Sequence, residues 1–169
     1  CKCTTGEADT GGQLAFSGWT VDGTRYPLVY VDEEYRHKGV WDTSKYRMDW
    51  SGTDGVAQIA GMIYAYSIQG MQLKNAAASG KTAWCIWHNA GTGAASTVSL
   101  YSNILRGAGN TVATEGGIDI VTCSNASGFY IYNNLMYDFT GSGYSSFAFR
   151  LKNPGYFYIY NNTVYNSTF

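Results

Sequence analysis

The sequence predicts an all-β protein, a single-stranded right-handed parallel β-helix (solenoid) with an N-terminal β cap. Three observations predict this fold. The chain carries an internal repeat of about 30 residues, an asparagine recurs at one place in successive repeats, and 15 tyrosines with 21 glycines suit short strands separated by tight turns. With 169 residues the chain is long enough for one domain with a continuous core.

The repeat is clearest in four segments that superpose without gaps, at residues 66–73, 98–105, 129–136 and 157–164. Apolar residues alternate with polar or aromatic ones in each segment, which is typical of a strand that ends in a bend. The apolar residues at the third position are spaced by 32, 31 and 28 residues and are Ile68, Leu100, Ile131 and Ile159. Those at the last position are Leu73, Leu105, Met136 and Val164. We therefore predict about four coils of 28–32 residues over residues 56–169, each pairing with the next at about 4.8 Å.

Asparagine marks the bend of three successive repeats, at Asn103, Asn134 and Asn162. This residue tolerates left-handed backbone, and its amide can bond to the amide of the next coil. The spacing therefore predicts a structural asparagine ladder inside the stacked coils.

A second set of segments lies between the first, at residues 83–89, 119–125 and 147–153, and each ends in an asparagine. Aligning these asparagines places two groups of residues on one inward face. The groups are Trp87 with Cys123 and Leu151, and Cys85 with Val121 and Phe149. Cys85 and Cys123 are therefore predicted to be core residues. The sequence leaves the disulfide state of these two, and of Cys1 and Cys3, open.

Charge and hydropathy argue against several classes of protein. The 11 Lys and Arg nearly balance the 12 Asp and Glu, and 14% of residues are charged, so no global field attracts nucleic acid. No run of about 18 apolar residues is present to span a bilayer. The cysteine spacing matches no zinc or redox motif. We expect no nucleic acid, no membrane span, no metal and no cofactor.

Residues 1–55 depart from the repeat and are predicted to be the N-terminal cap and an irregular β segment. This stretch is broken into short strands and turns by Gly11, Gly12, Gly18, Gly23 and Pro27. A cap is expected because a solenoid exposes its terminal coil as an unpaired edge. At the other end, we expect the coils of residues 56–169 to continue or to be covered by a partner beyond residue 169.

Residues 130–137 and 158–165 both begin Tyr-Ile-Tyr-Asn-Asn and end in tyrosine. They resemble the repeats of pectate-lyase-like right-handed parallel β-helix proteins, and the resemblance covers residues 56–169. Residues 41–48 and 68–73 are similar to the entry region of uncharacterised β-helix repeat proteins of phages and uncultured bacteria. The resemblance implies the coil and leaves the activity open, because this coil serves lyases, hydrolases, phage tailspikes, head fibres and adhesins.

Family glycosidases use clustered carboxylates, and family lyases use carboxylate-bound Ca²⁺ beside an Arg or Lys base. The repeats offer Asp119 and Asp138 singly. Arg150 and Lys152 could fill the base role, but the sequence places no carboxylates beside them to hold Ca²⁺. The spacing therefore supports no complete catalytic set. The candidate catalytic residues are His88, Lys152, Arg150 and Asp119.

The aligned asparagines also place His88, Ser124 and Lys152 in one outward column. Such a column would bind an anionic sugar or transfer protons, and the alternative is that polar residues occupy a polar face. The charged run at residues 32–37, with Asp42, is either a metal or substrate loop or a solvated turn.

Five tyrosines occupy outward positions if the central apolar residues of the repeats point inward. They are Tyr101, Tyr130, Tyr132, Tyr158 and Tyr160. An exposed aromatic ladder would stack on sugar rings or pack against a neighbouring chain. Strand pairing alone also favours tyrosine at half-exposed positions.

Together these patterns favour a non-catalytic β-helical structural or adhesive module on a virion or extracellular surface, such as a fibre, spike, decoration or adhesin. The expected partners are further copies of the chain, with a trimer favoured, other structural subunits, and polysaccharide. The alternative is a polysaccharide lyase or glycoside hydrolase of the pectate-lyase-like class.

Overall fold

The computed structural model describes residues 2–4, 6–22, 24–50, 59–75, 82–91, 97–109, 114–123, 127–140, 146–152 and 155–167. Within these ranges the chain forms seventeen β-strands and one 3₁₀ turn, Glu33–Tyr35. No helix of the described part has the length and apolar character needed to cross a bilayer.

The strands form three parallel sheets, which we call A, B and C. Sheet A contains, in spatial order, β1 (Lys2–Cys3), β4 (Leu28–Val31), β7 (Ala65–Gln69), β10 (Thr97–Tyr101), β13 (Gly128–Tyr132) and β16 (Tyr156–Tyr160). Sheet B contains β2 (Ala8–Asp9), β5 (Arg47–Trp50), β8 (Gln72–Asn75), β11 (Ile104–Gly107), β14 (Leu135–Tyr137) and β17 (Thr163–Tyr165). Sheet C contains β3 (Leu14–Phe16), β6 (Ile59–Gly61), β9 (Thr82–Asn89), β12 (Thr114–Thr122) and β15 (Phe147–Leu151).

The chain visits the three sheets in turn, so three strands make one coil. From β6 onward the strands make four coils, and the predicted parallel β-solenoid is confirmed. Each of the four segments that superpose without gaps spans parts of two strands, one in sheet A and one in sheet B. Residues 98–105, for example, run along β10, turn at Ser102 and continue as β11.

The register of sheets A and B agrees with the gapless alignment of the repeats. Leu100 pairs with Ile68 on one side and with Ile131 on the other. Leu105 likewise lies between Leu73 and Met136. The alignment works because each coil repeats the backbone path of the one before it.

The N-terminal 55 residues contribute strands to the same three sheets. β1 pairs with β4, β2 with β5, and β3 with β6, all in parallel. The described part of this stretch thus continues the coil path instead of forming a separate layer. Its strands are only 2–4 residues long, which is why the repeat is not visible in its sequence.

The core lies between the three sheets, and strands such as β10 and β13 contribute alternate side chains to it. Val98, Leu100, Phe129 and Ile131 point inward from sheet A, and each is at most 1% exposed. Burying such a side chain stabilises the fold by about 1.5–3 kcal/mol. Cys85 and Cys123 are buried as predicted.

Sheet C differs from the prediction, because aligning the asparagines gave the wrong register. Trp87 pairs with Asp119, and Asp119 pairs with Arg150. His88 pairs with Ile120, which pairs with Leu151. The register shifts between Ile120 and Thr122, so counting back from the asparagines fails. Asn125 and Asn153 lie outside the described residues.

Candidate functional site

Two columns of tyrosines run across the outer face of sheet A. The longer column contains Tyr101, Tyr132 and Tyr160, and the shorter one contains Tyr130 and Tyr158. Their positions follow from strand alternation, because their neighbours along the strands, such as Leu100 and Ile131, point into the core. We call these five residues the tyrosine ladders.

Within each ladder the rings are stacked in parallel. The ring centroids are 4.9 Å apart for Tyr101 and Tyr132, 5.0 Å apart for Tyr132 and Tyr160, and 4.8 Å apart for Tyr130 and Tyr158. The interplanar angle is 5° in all three pairs. The spacing matches the distance between paired strands, so the coil itself sets the stack.

Stacking decides which part of each tyrosine a partner can reach. Stacked neighbours cover each other's inner faces, whereas Tyr158 and Tyr160, on the last strand of sheet A, each have a ring stacked on one face only. Tyr130 is 38% exposed, and Tyr158 and Tyr160 are each 48% exposed. The ladders thus present rows of phenol edges, about 5 Å apart across the coils and about 7 Å apart along a strand.

The longer ladder has a polar end at Gln69. The Tyr101 hydroxyl donates a 2.7 Å hydrogen bond to Oε1 of Gln69, its register partner in the preceding coil. Desolvation raises the pKa of Tyr132, and the flanking Tyr101 and Tyr160 raise it further. The Tyr132 phenol is therefore neutral at physiological pH.

An asparagine ladder lies beside the tyrosine ladders, at the corner between sheets A and B. Oδ1 of Asn134 accepts hydrogen bonds from N and Nδ2 of Asn103, both at 3.0 Å. Nδ2 of Asn134 donates to Oδ1 of Asn162 at 2.9 Å and to the Leu100 carbonyl at 2.9 Å. Asn103 and Asn134 are buried, so these bonds replace water at the corner.

The corner also contains a row of residues with left-handed backbone. Ser102, Asn133 and Asn161 precede the three ladder asparagines, and their φ angles are 55°, 55° and 52°. Asparagine adopts this conformation more readily than most residues. Together the two rows hold the corner, and with it the strands that carry the tyrosines, in one geometry.

His88 does not lie on the outer face, so the predicted column of His88, Ser124 and Lys152 is wrong. Its ring is 1% exposed and packs edge-on against Phe129, with centroids 5.1 Å apart. Nδ1 of His88 shares a 3.2 Å hydrogen bond with the Tyr66 hydroxyl. Burial lowers the pKa of His88 to about 4. Lys152 is exposed after the end of β15, and Ser124 lies outside the described residues.

Asp119 and Arg150 are brought together on the outer face of sheet C. Nε and Nη2 of Arg150 donate to the two carboxylate oxygens of Asp119 at 2.8 and 2.5 Å. Asp119 is fully buried, and the Arg150 side chain is 26% exposed. Because the Asp119 side chain has no exposed surface, a substrate in solvent does not reach its carboxylate oxygens. This geometry assigns the pair a structural role.

Aromatic rings flank this ion pair, which the residue spacing did not predict. The Arg150 guanidinium lies 4.5 Å from the Phe147 ring centroid and 5.8 Å from that of Trp84. Gly116 lies between the two rings, and a Cβ there would come within 2.4 Å of Trp84. The Gly-Gly pair inside an apolar strand was the sequence signal for this close approach.

The charged run at residues 32–42 lies against the outside of the coils. Nε2 of His37 is 2.9 Å from the Ser102 carbonyl oxygen. Gln72 holds Asp42 by two bonds, accepting from its N–H at 2.7 Å and donating to its carbonyl at 2.9 Å. Among the described residues no three His, Cys, Asp or Glu side chains are grouped as a metal site requires. The hydrogen bonds of His37 and Asp42 hold this run against the coils and favour a structural role for it.

Comparison with known proteins finds no matching family model, no matching curated protein and no matching solved structure.

Proposed function

We propose that this chain is a non-catalytic structural or adhesive module of an extracellular or virion surface, in the manner of a fibre, spike, decoration or adhesin. The tyrosine ladders are its contact surface. The solenoid serves as a rigid platform that holds the contact residues at fixed spacing.

The observation that carries this proposal is the exposure of Tyr130, Tyr158 and Tyr160 on one face of the solenoid. Tyrosine is enriched at protein interfaces because it offers apolar area together with a hydroxyl group. Stacked rings lose little further side-chain entropy on binding, since their neighbours already restrict them. A preorganised row of this kind favours contact with a partner over a purely solvated face.

The non-catalytic part of the proposal is supported by the candidate catalytic residues. The carboxylate of Asp119 is neutralised by Arg150. The imidazole of His88 is buried in the core. Neither group reaches a position from which it would act on a polymer lying across the coils.

The partner proposed first is a further copy of the chain, with a trimer favoured, and the second is polysaccharide. The two partners would use different parts of the ladder. Packing between chains uses the apolar ring edges, so phenylalanine would substitute for tyrosine. Sugar binding would add hydrogen bonds to the hydroxyl groups, which phenylalanine lacks.

The experiment is a native mass measurement by light scattering on three proteins: the unaltered chain, a Tyr130→Ser/Tyr158→Ser variant, and a Tyr165→Ser control. Tyr165 is 68% exposed but belongs to sheet B, outside the ladders. We expect a trimer or other closed assembly that dissociates in the double variant and persists in the control.

If the unaltered chain is a monomer, affinity electrophoresis through polysaccharide gels tests whether the tyrosine ladders bind polysaccharide. Retardation that is lost in Tyr130→Phe/Tyr158→Phe supports adhesion through the hydroxyl groups. A monomer that binds no polysaccharide contradicts the contact surface, and release of sugar fragments contradicts the non-catalytic assignment.

A further inference from the structure

The shorter ladder places two exposed phenols in direct contact across adjacent coils. The centroids of Tyr130 and Tyr158 are 4.8 Å apart, the closest of the three stacked tyrosine pairs, and their planes differ by 5°. Tyr130 and Tyr158 are register partners on the paired strands β13 and β16, so their ring edges run side by side. The carbon ortho to each hydroxyl thus lies against the neighbouring ring.

We propose that Tyr130 and Tyr158 are an oxidative crosslinking site, at which the two rings couple through their ortho carbons to form dityrosine. The crosslink joins the coil of β13 covalently to the coil of β16. This inference stands independently of the proposed function, because it depends only on the contact between the rings and on their exposure.

The coupling requires a one-electron oxidant, for which the chemical class is a peroxide acting through a haem peroxidase. Each phenol loses one electron and its hydroxyl proton to give a phenoxyl radical with spin density on the ortho carbons. The two radicals form one carbon–carbon bond, and each ortho carbon then returns its hydrogen as a proton that restores the hydroxyl group. In total two tyrosines and one hydrogen peroxide give one dityrosine and two waters.

The exposure of both rings distinguishes this pair from the other two stacked tyrosine pairs, each of which contains a half-buried ring. Tyr130 and Tyr158 are 38% and 48% exposed, so an oxidant reaches both. In the longer ladder Tyr101 and Tyr132 are half-buried, and the Tyr101 hydroxyl is engaged by Gln69. Tyr165 is more exposed than either ladder residue, but the ring of its register partner Tyr137 lies against Arg106.

The crosslink would close a loop of 28 residues, one full coil of the solenoid. A covalent bond of this kind restricts the unfolded chain, as a disulfide does, and so favours the folded state. Coupling turns the two rings from face-to-face stacking to an edge-linked pair, a movement that the exposure of both side chains allows. The crosslinked chain is therefore expected to unfold at a higher urea concentration.

The test treats dilute protein with a haem peroxidase and hydrogen peroxide, followed by proteolysis and mass spectrometry. The expected product is one peptide pair that joins Tyr130 to Tyr158 and is two hydrogens lighter than the sum of its parts, with dityrosine fluorescence. Tyr130→Phe and Tyr158→Phe keep the ring stack and should each abolish this product. Tyr165→Phe, the matched control, should leave its yield unchanged.

Three results would overturn the proposal. One is absence of dityrosine while free tyrosine in the same reaction couples. Another is a product that maps mainly to a different pair of tyrosines. The third is a yield that rises with protein concentration, which would show coupling between chains instead of within one chain.

Discussion

Replacing Asn134 by alanine tests whether the asparagine ladder holds the coils together. Asn134 is 2% exposed and is the middle rung. Without its Oδ1, the backbone N–H of Asn103 loses its acceptor, and the Nδ2 group of Asn103 keeps only the Ile68 carbonyl. Without its Nδ2, the Leu100 carbonyl loses a donor. A buried donor left without a partner costs about 1–3 kcal/mol and a lost hydrogen bond about 1 kcal/mol, so the two Asn103 groups together predict a loss of about 3 kcal/mol.

The assay is urea denaturation followed by tryptophan fluorescence and circular dichroism, with Asn162→Ala as the matched control. Asn162 makes the same kind of bonds to Asn134, but it is half-buried and water can replace part of what is lost. We expect a clearly smaller loss of unfolding free energy in this control. A loss below about 1 kcal/mol for Asn134→Ala, or equal losses in the two variants, would refute the view that buried rungs stabilise the corner.

Three further predictions concern sheet C and the core. The folded pKa of His88 is about 4, below its ordinary 6.5, so protonation favours the unfolded chain and stability falls as the pH drops from 6.5 to 4. The loss is about 3 kcal/mol, and His88→Phe should remove this part of the pH dependence in urea titrations at several pH values. Gly116→Ala should lower the urea midpoint and shift tryptophan emission, because its Cβ would collide with Trp84; an unchanged midpoint would contradict this packing. Arg150→Met should cost about 3–5 kcal/mol by leaving the buried Asp119 carboxylate unpaired, and adding Asp119→Leu should recover much of that loss; failure of the second change to recover stability would argue against charge burial as the cause.

The sequence predicted sheets A and B in detail because their repeats carry strong local signals. The segments around Leu100 and Ile131 have equal length, so alignment without gaps reproduces the register of the strands. The asparagines fall at a corner whose backbone only a few residue types adopt, and this restriction keeps them in line. The same alternation placed Tyr130 and Tyr132 outside the core.

Sheet C was harder to predict because its strands differ in length and register. β9 contains eight residues and β15 five, and the register between β9 and β12 shifts after Ile120. A shift of one residue reverses which side chains face inward. This is why His88 was expected in solvent and is found in the core, and why the pairing of Asp119 with Arg150 was not foreseen.

The sequence by itself determined the solenoid, the period of its coils, and the candidate residues of the ladders, because these depend on repetition and on strand alternation along one chain. Only the tertiary structure decided how those residues meet. It stacked the tyrosine rings so that their edges remain accessible, and it joined Asp119 to Arg150. Such contacts bring together residues about 30 positions apart, and their geometry depends on strand register and ring orientation, which residue spacing does not specify.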